Sequence, residues 1–188
     1  KVALTFHGAG DPSIASALLK IFRDTSTPVT VFAVGTFLKA NPSFAKEIVD
    51  AGHDLGNHTM THTQMKTISA KSVDQEISQC AELLNKLIGN HGSFFRPSGT
   101  QFSNALIRKS AKKFGYQNCI SYDVDSKDYL DPGKEAVISN VTNGAKSGSI
   151  ISLHFGHKNT VAAMPSIIEN LNTKGLKPVT LTELINTK

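Results

Sequence analysis

A parallel α/β fold is what this sequence predicts, and two patterns predict it. Helical and strand periodicities alternate from one end of the chain to the other, giving six or seven β-α units. No linker, repeat or low-complexity segment interrupts them, so residues 1–188 read as one domain of ordinary size. The alternation fits either an open doubly wound sheet or a closed barrel. A glycine-rich dinucleotide fingerprint does not follow the first strand, since GAGDPS lacks the G-x-G-x-x-G spacing.

The elements follow in order. VALTF (2–6) is a short apolar strand, and PSIASALLKIF places Ile14, Leu18, Ile21 and Phe22 on one helical face. PVTVFAV (28–34) is short and β-branched, hence a buried strand. Phe44, Ala45, Ile48 and Val49 mark a second helix that stops near Gly52, and HDLG forms a short strand-like segment. A third helix is expected from about Ser72, where Ser-x-x-Gln resembles a capping box, to Gly89. SFF (93–95) reads as a brief strand, and Leu106, Ile107, Ala111 and Phe114 as a helix stopped by Gly115. NCISYDV is expected as a strand, Val137, Val141 and Ala145 as a helix, and SIISL (149–153) as a strand. Val161, Met164, Ile168 and Leu171 give a helix ending at Gly175, then a KPVT strand and a terminal helix.

Composition narrows the function classes. At 39% hydrophobic and 19% charged residues, the chain has the make-up of a globular domain, and no apolar run approaches a membrane span. Lys1 stands one residue before a core strand, as in a trimmed or processed chain, so any export signal or anchor is expected to have been removed. The net charge of +5 comes from dispersed lysines, and the one dense run, KSAKK (109–113), fits a solvated helix face. No basic stripe interleaved with aromatics is present, so no nucleic-acid partner is expected, whereas a basic surface suits an anionic cell-wall polymer. Cys80 falls on an apolar helical stripe and Cys119 in a strand-like run; two cysteines permit one disulfide without requiring it.

The polar residues carry the functional signal. His7 follows the first strand, His58 and His62 follow HDLG, Arg96 follows SFF, Asp128 follows NCISYDV, and His154 follows SIISL. In a parallel barrel the carboxyl ends of the strands converge on one face, where active sites form. His58 and His62 are four residues apart, so on a helical turn both rings would face one divalent metal. His53 and Asn57 read as structural residues of the same loop.

GHDLGNHTMTH closely resembles the G-H-E-[IL]-G-N-H-[ST]-x-[ST]-H segment of the polysaccharide deacetylases, carbohydrate esterase family 4. The resemblance extends in order along the chain. VALTFHG stands where the family has T-F-D-D-G, FFRPSG resembles F-R-x-P-[YF]-G, SYDVDSKDY resembles D-[ST]-x-D-W, and SIISLH resembles I-[IL]-L-H. It implies a distorted (β/α)7 barrel and metal-dependent removal of acetyl groups from a polysaccharide. Carried over by position, His58 and His62 are metal ligands, His154 is the general acid, Asp128 its orienting partner and Arg96 a tuning arginine. The implied substrate is an N-acetylglucosamine polymer such as peptidoglycan or chitin, with acetylxylan as a variant. Zinc is the expected metal, with cobalt or nickel fitting comparable sites. The implied protein is a secreted or surface-attached monomer.

Departures from the family pattern concentrate at the first motif. His7 aligns with the family's base and Gly8 with its metal-binding aspartate; Arg96-Pro97-Ser98-Gly99 is one residue short and lacks the aromatic. Tyr129 replaces Trp, Thr63 the proline after His62, and Phe155 the acid that often follows the last histidine. A glycine offers a metal no side-chain donor, so another group must complete the site. Two extra loop residues bring Asp11 within reach, giving Asp11 as third ligand and His7 as base. The mirror arrangement, three histidines on the metal with Asp11 as base, is also chemically sound. A non-catalytic carbohydrate-binding barrel is the alternative from a different class.

Overall fold

The computed structural model describes residues 1–186. Six parallel strands form the sheet: β1 (Val2–Gly8), β2 (Thr30–Ala33), β3 (Asp54–Asn57), β4 (Val124–Asp125), β5 (Ile150–His154) and β6 (Pro178–Val179). Their order is β3-β2-β1-β5-β4, with β6 paired to the start of β1. Beyond β3 the pairing continues through parallel bridges from Asn57 to Phe95 and from Phe95 to Cys119. These two positions and β1–β5 make seven parallel segments around a ring. Among the described residues no pairing joins Cys119 to β4, so the ring is distorted on that side.

The helices are α1 (Pro12–Asp24), α2 (Gly35–Ala40), α3 (Ser43–Asp50), α4 (Ala70–Ile88), α5 (Ala105–Lys113), α6 (Lys134–Gly144), α7 (Lys158–Thr173) and α8 (Leu181–Ile185), with a 3₁₀ turn at Asp128–Leu130. Strand parity explains how they pack. On β1, Val2, Leu4 and Phe6 face outward into a core shared with Leu18 and Phe22 of α1 and Met164, Ile168 and Leu171 of α7. Ala3 faces the ring interior with Phe32 and Ile120, and Thr5 and His7 share its parity. His7 therefore points into the ring, whereas Gly8 points out: a Cβ there would stand 3.0 Å from Val31 Cγ1 and 3.1 Å from Ala33 Cα.

Several boundaries differ from the sequence reading. The N-cap of α4 is Ser69, whose hydroxyl accepts from the Ser72 amide, so the helix begins three residues earlier than the Ser72 capping box implied. The short α2 was not expected. Of the NCISYDV run (118–124) only Val124 falls in β4, with Cys119 in a single bridge, because the carbonyls of Ile120 and Ser121 turn inward to Arg96. Cys80 and Cys119 are both free thiols. No helix among the described residues is long and apolar enough to cross a membrane.

Candidate active site

All the strand-end residues singled out above except Asp11 meet over the ring interior. One ligand atom from each of His7, His58 and His62 lies within 4.8 Å of the others. Ring centroids are 4.4 Å apart for His7–His58 and 5.0 Å for His58–His62. The convergence of His58 and His62 is not helical. Thr59 and His62 both have left-handed backbones, at φ 71° and 59°, so a looped chain brings the rings together. Asn57 fastens that loop by accepting from the Thr59 amide and donating to Ile77 O and Tyr116 Oη. His53, whose Nδ1 accepts from the Val29 amide, is a structural residue at the other end of β3.

His58 is prepared to bind a cation. It is fully buried, and its Nδ1 lies 2.8 Å from the Arg96 carbonyl. A carbonyl only accepts, so the proton is on Nδ1 and Nε2 keeps its lone pair. That Nε2 is buried without any hydrogen-bond partner. An orphaned imidazole lone pair beside two further imidazoles fits a divalent metal, and an all-nitrogen donor set suits zinc, cobalt or nickel. Burial and the neighbouring positive groups hold His7 and His58 well below the usual histidine range, and burial followed by His154 lowers His62. Neutral rings are what ligation requires.

Arg96 lies beneath these rings, 1% exposed. It donates to Ile120 O at 3.3 Å, Thr5 Oγ1 at 2.8 Å, Ser121 O at 3.2 Å and His7 Nε2 at 3.2 Å. The Phe32 ring lies 4.3 Å from its Cζ. Burial brings the guanidinium down to about 9, still charged at neutral pH. Because a guanidinium only donates, His7 Nε2 must accept from it, and a cation at that distance opposes protonation of His7.

A second unit closes the other side of the cleft. His154 Nδ1 donates to Asp128 Oδ1 at 2.7 Å, leaving His154 Nε2 free of that bond. Asp128 is fully buried. Burial pushes its carboxyl up, but bonds from the His154 ring, the Thr160 hydroxyl and the His154 amide outweigh it and hold the group below the usual carboxylate range. The His154 and His7 rings are 4.4 Å apart. Between the two units opens a cleft of about 490 Å³, whose lining includes His7, His62, Gln64, Tyr122, Tyr129 and His154.

Asp11 is not part of this cluster, which corrects its expected place as third ligand. Its carboxylate caps α1, accepting from the Ser13 amide at 2.8 Å and the Ser13 hydroxyl at 2.7 Å, and it is exposed. The glycines of HGAGD serve a backbone contact. Gly10, at φ 99°, lies so close to Gly156 that a Cβ on it would be 2.9 Å from the Gly156 Cα. Asp11→Ala is therefore expected to lower stability modestly through loss of the cap. Zinc affinity should stay unchanged; denaturant unfolding and a metal titration of the same variant check both halves. Residues that the motifs did not reveal also touch the site: Thr5 and Ser152 from the strands, Tyr122 from the loop before β4, and Thr160 from α7. None has a spacing signal; only strand parity points to Thr5 and Ser152.

Known proteins resemble this chain along most of its length. Residues 1–119 match the family described as Polysaccharide deacetylase. A peptidoglycan-N-acetylglucosamine deacetylase of Bacillus cereus is 32% identical over 191 residues, covering 100% of this chain and 89% of that protein. The family 4 carbohydrate esterase of Streptomyces lividans, solved in complex with acetate, superposes with a TM-score of 0.87 at 32% identity, over 94% of this chain and 90% of that one. A family 4 pseudoenzyme from Bacillus anthracis gives a TM-score of 0.90 at 28% identity over 97% of this chain, which spans only 64% of that longer chain. By motif order, by fold and by these likenesses, the chain belongs to the polysaccharide deacetylase family.

Proposed function

We propose that this chain is a metal-dependent deacetylase of an N-acetylglucosamine polymer, peptidoglycan or a chitin-like glycan, acting outside the cell or at its surface. The observation that carries the reading is the buried, unpartnered Nε2 of His58 facing His7 and His62 at the mouth of a cleft. His58 and His62 would hold the cation, and His7 would join them by exchanging the Arg96 contact at its Nε2 for the metal. When bound, a divalent ion supplies Lewis-acid polarisation of the acetyl carbonyl and a more acidic water.

The chain's own groups do the proton work. His7 is a poor base here: Arg96 points a cationic donor at its Nε2, and burial opposes its charging. His154 is the better one, because the Asp128 carboxylate stabilises the imidazolium that forms. His154 Nε2 takes a proton from the attacking water and returns it to the departing amine, so one histidine serves as base and then acid. Hydrolysis then yields acetate and a free amino sugar. Tyr122 and Tyr129 offer ring faces, and Gln64 amide groups, to a sugar in the cleft.

The test is acetate release from peptidoglycan fragments, chitooligosaccharides and acetylxylan by zinc-loaded and chelator-treated protein. Release from an N-acetylated glycan by the loaded protein alone supports the reading. One observation favours a second reading: among the described residues no carboxylate joins the cluster where the family has its aspartate pair, and the fold is shared with a pseudoenzyme. Glycan binding without acetate release from any substrate would select that non-catalytic role.

A further inference from the structure

We propose that Thr160 is a positioning residue for His154, locking the Asp128 carboxylate from the first turn of α7; its kinetic consequence rests on the deacetylase reading. Asp128 Oδ1 receives the His154 ring proton, while Oδ2 receives the His154 amide at 2.8 Å and the Thr160 hydroxyl at 2.7 Å. Thr160 is fully buried. A helical threonine commonly bonds back to a carbonyl of its own helix, but this hydroxyl is spent across the gap on Asp128.

The turn that carries Asp128 needs an external hold. Its flanking residues, Lys127 and Asp131, are non-glycine and left-handed, at φ 55° and 47°. A three-residue turn bounded by two such residues persists only where its surroundings over-determine it. The start of α7 supplies two ties: Thr160 to Asp128, and His157, the N-cap, whose Nδ1 lies 3.2 Å from Asp131 Oδ1. The outer tie is between exposed or half-exposed groups and is weak in water. Of the two ties, the buried one therefore acts on the carboxylate itself, adding to the His154 amide a second bond on Oδ2. A carboxylate's terminal torsion is soft, so with the Thr160 bond gone only the His154 amide holds Oδ2, the plane loosens and Oδ1 leaves its line to His154 Nδ1 for part of the time. His154 then loses both its fixed tautomer and the charge that stabilises its protonated form.

The experiment compares Thr160→Val, Thr160→Ala and Thr160→Ser, the alanine variant serving if the valine cannot fold. The first readout is the hydrogen-bonded His154 Nδ1–H signal in ¹⁵N-resolved proton NMR of the metal-free protein. It should be sharp and downfield in wild type and Thr160→Ser, and lost or broadened in the hydroxyl-free variants. On the substrate the wild type deacetylates, the hydroxyl-free variants should lose about tenfold in kcat with KM within about twofold, and serine should restore kcat. An unaltered Nδ1–H signal in a folded hydroxyl-free variant overturns the proposal, as does a serine variant that behaves like valine. The NMR readout needs no catalysis, so it decides the role of Thr160 even where no glycan releases acetate.

Discussion

Replacing His154 with alanine is expected to lower turnover by roughly 10²–10⁴-fold while leaving zinc affinity nearly unchanged. Among the described residues lining the cleft, this ring has a carboxylate on its far nitrogen, so it can take a proton and have the resulting charge stabilised. It is also not one of the three clustered donors. Steady-state acetate release and a metal titration on the same preparation separate the roles. Loss of bound zinc in His154→Ala would make it a ligand, and unchanged turnover would remove it from the chemistry. Asp128→Asn should follow the same direction, because an amide in that place can present a donor to Nδ1 and favour the wrong tautomer.

The second large effect belongs to His58. His58→Ala is expected to weaken zinc binding by at least about 100-fold, beyond what loss of an outer-shell partner costs a metal site, and to abolish metal-dependent acetate release. Burial makes the change informative. His58 Nε2 has no hydrogen bond to lose, and the Nδ1 bond to the Arg96 carbonyl is its tie to the protein. The apo variant should therefore lose on the order of 1 kcal/mol for that bond plus a packing term, and remain folded. Circular dichroism beside the titration separates a lost ligand from a lost fold. Undiminished zinc binding in a folded His58→Ala, His62→Ala double variant would place the cation elsewhere.

Much of this site was legible in the sequence because the backbone leaves little choice. A polar residue just past a short buried strand of a parallel sheet has one face to occupy, and His7, His58, Arg96, Asp128 and His154 all occupy it. What was illegible depends on loop paths. Asp11 stands as near to His7 in sequence as a ligand requires, yet the contact between Gly10 and Gly156 carries the chain into α1, where the carboxylate meets amides. The i, i+4 spacing of His58 and His62 gave the right neighbours for the wrong reason, since two left-handed residues replace the helical turn. Parity settles position 8: on a strand with His7 inward, Gly8 faces Val31 and Ala33, so a side chain there would point away from the ring interior. Thr160 was invisible because it reaches Asp128 across 32 residues of chain, a pairing that only the docking of α7 creates.

The central claim is that three imidazoles, one of them His7, hold the cation. Zinc K-edge X-ray absorption of the loaded protein, recorded for wild type and His7→Ala, tests it most directly. A three-histidine centre predicts three imidazole scatterers in the wild type and two in the variant, with zinc affinity reduced. Two imidazoles in both proteins at equal affinity would contradict it.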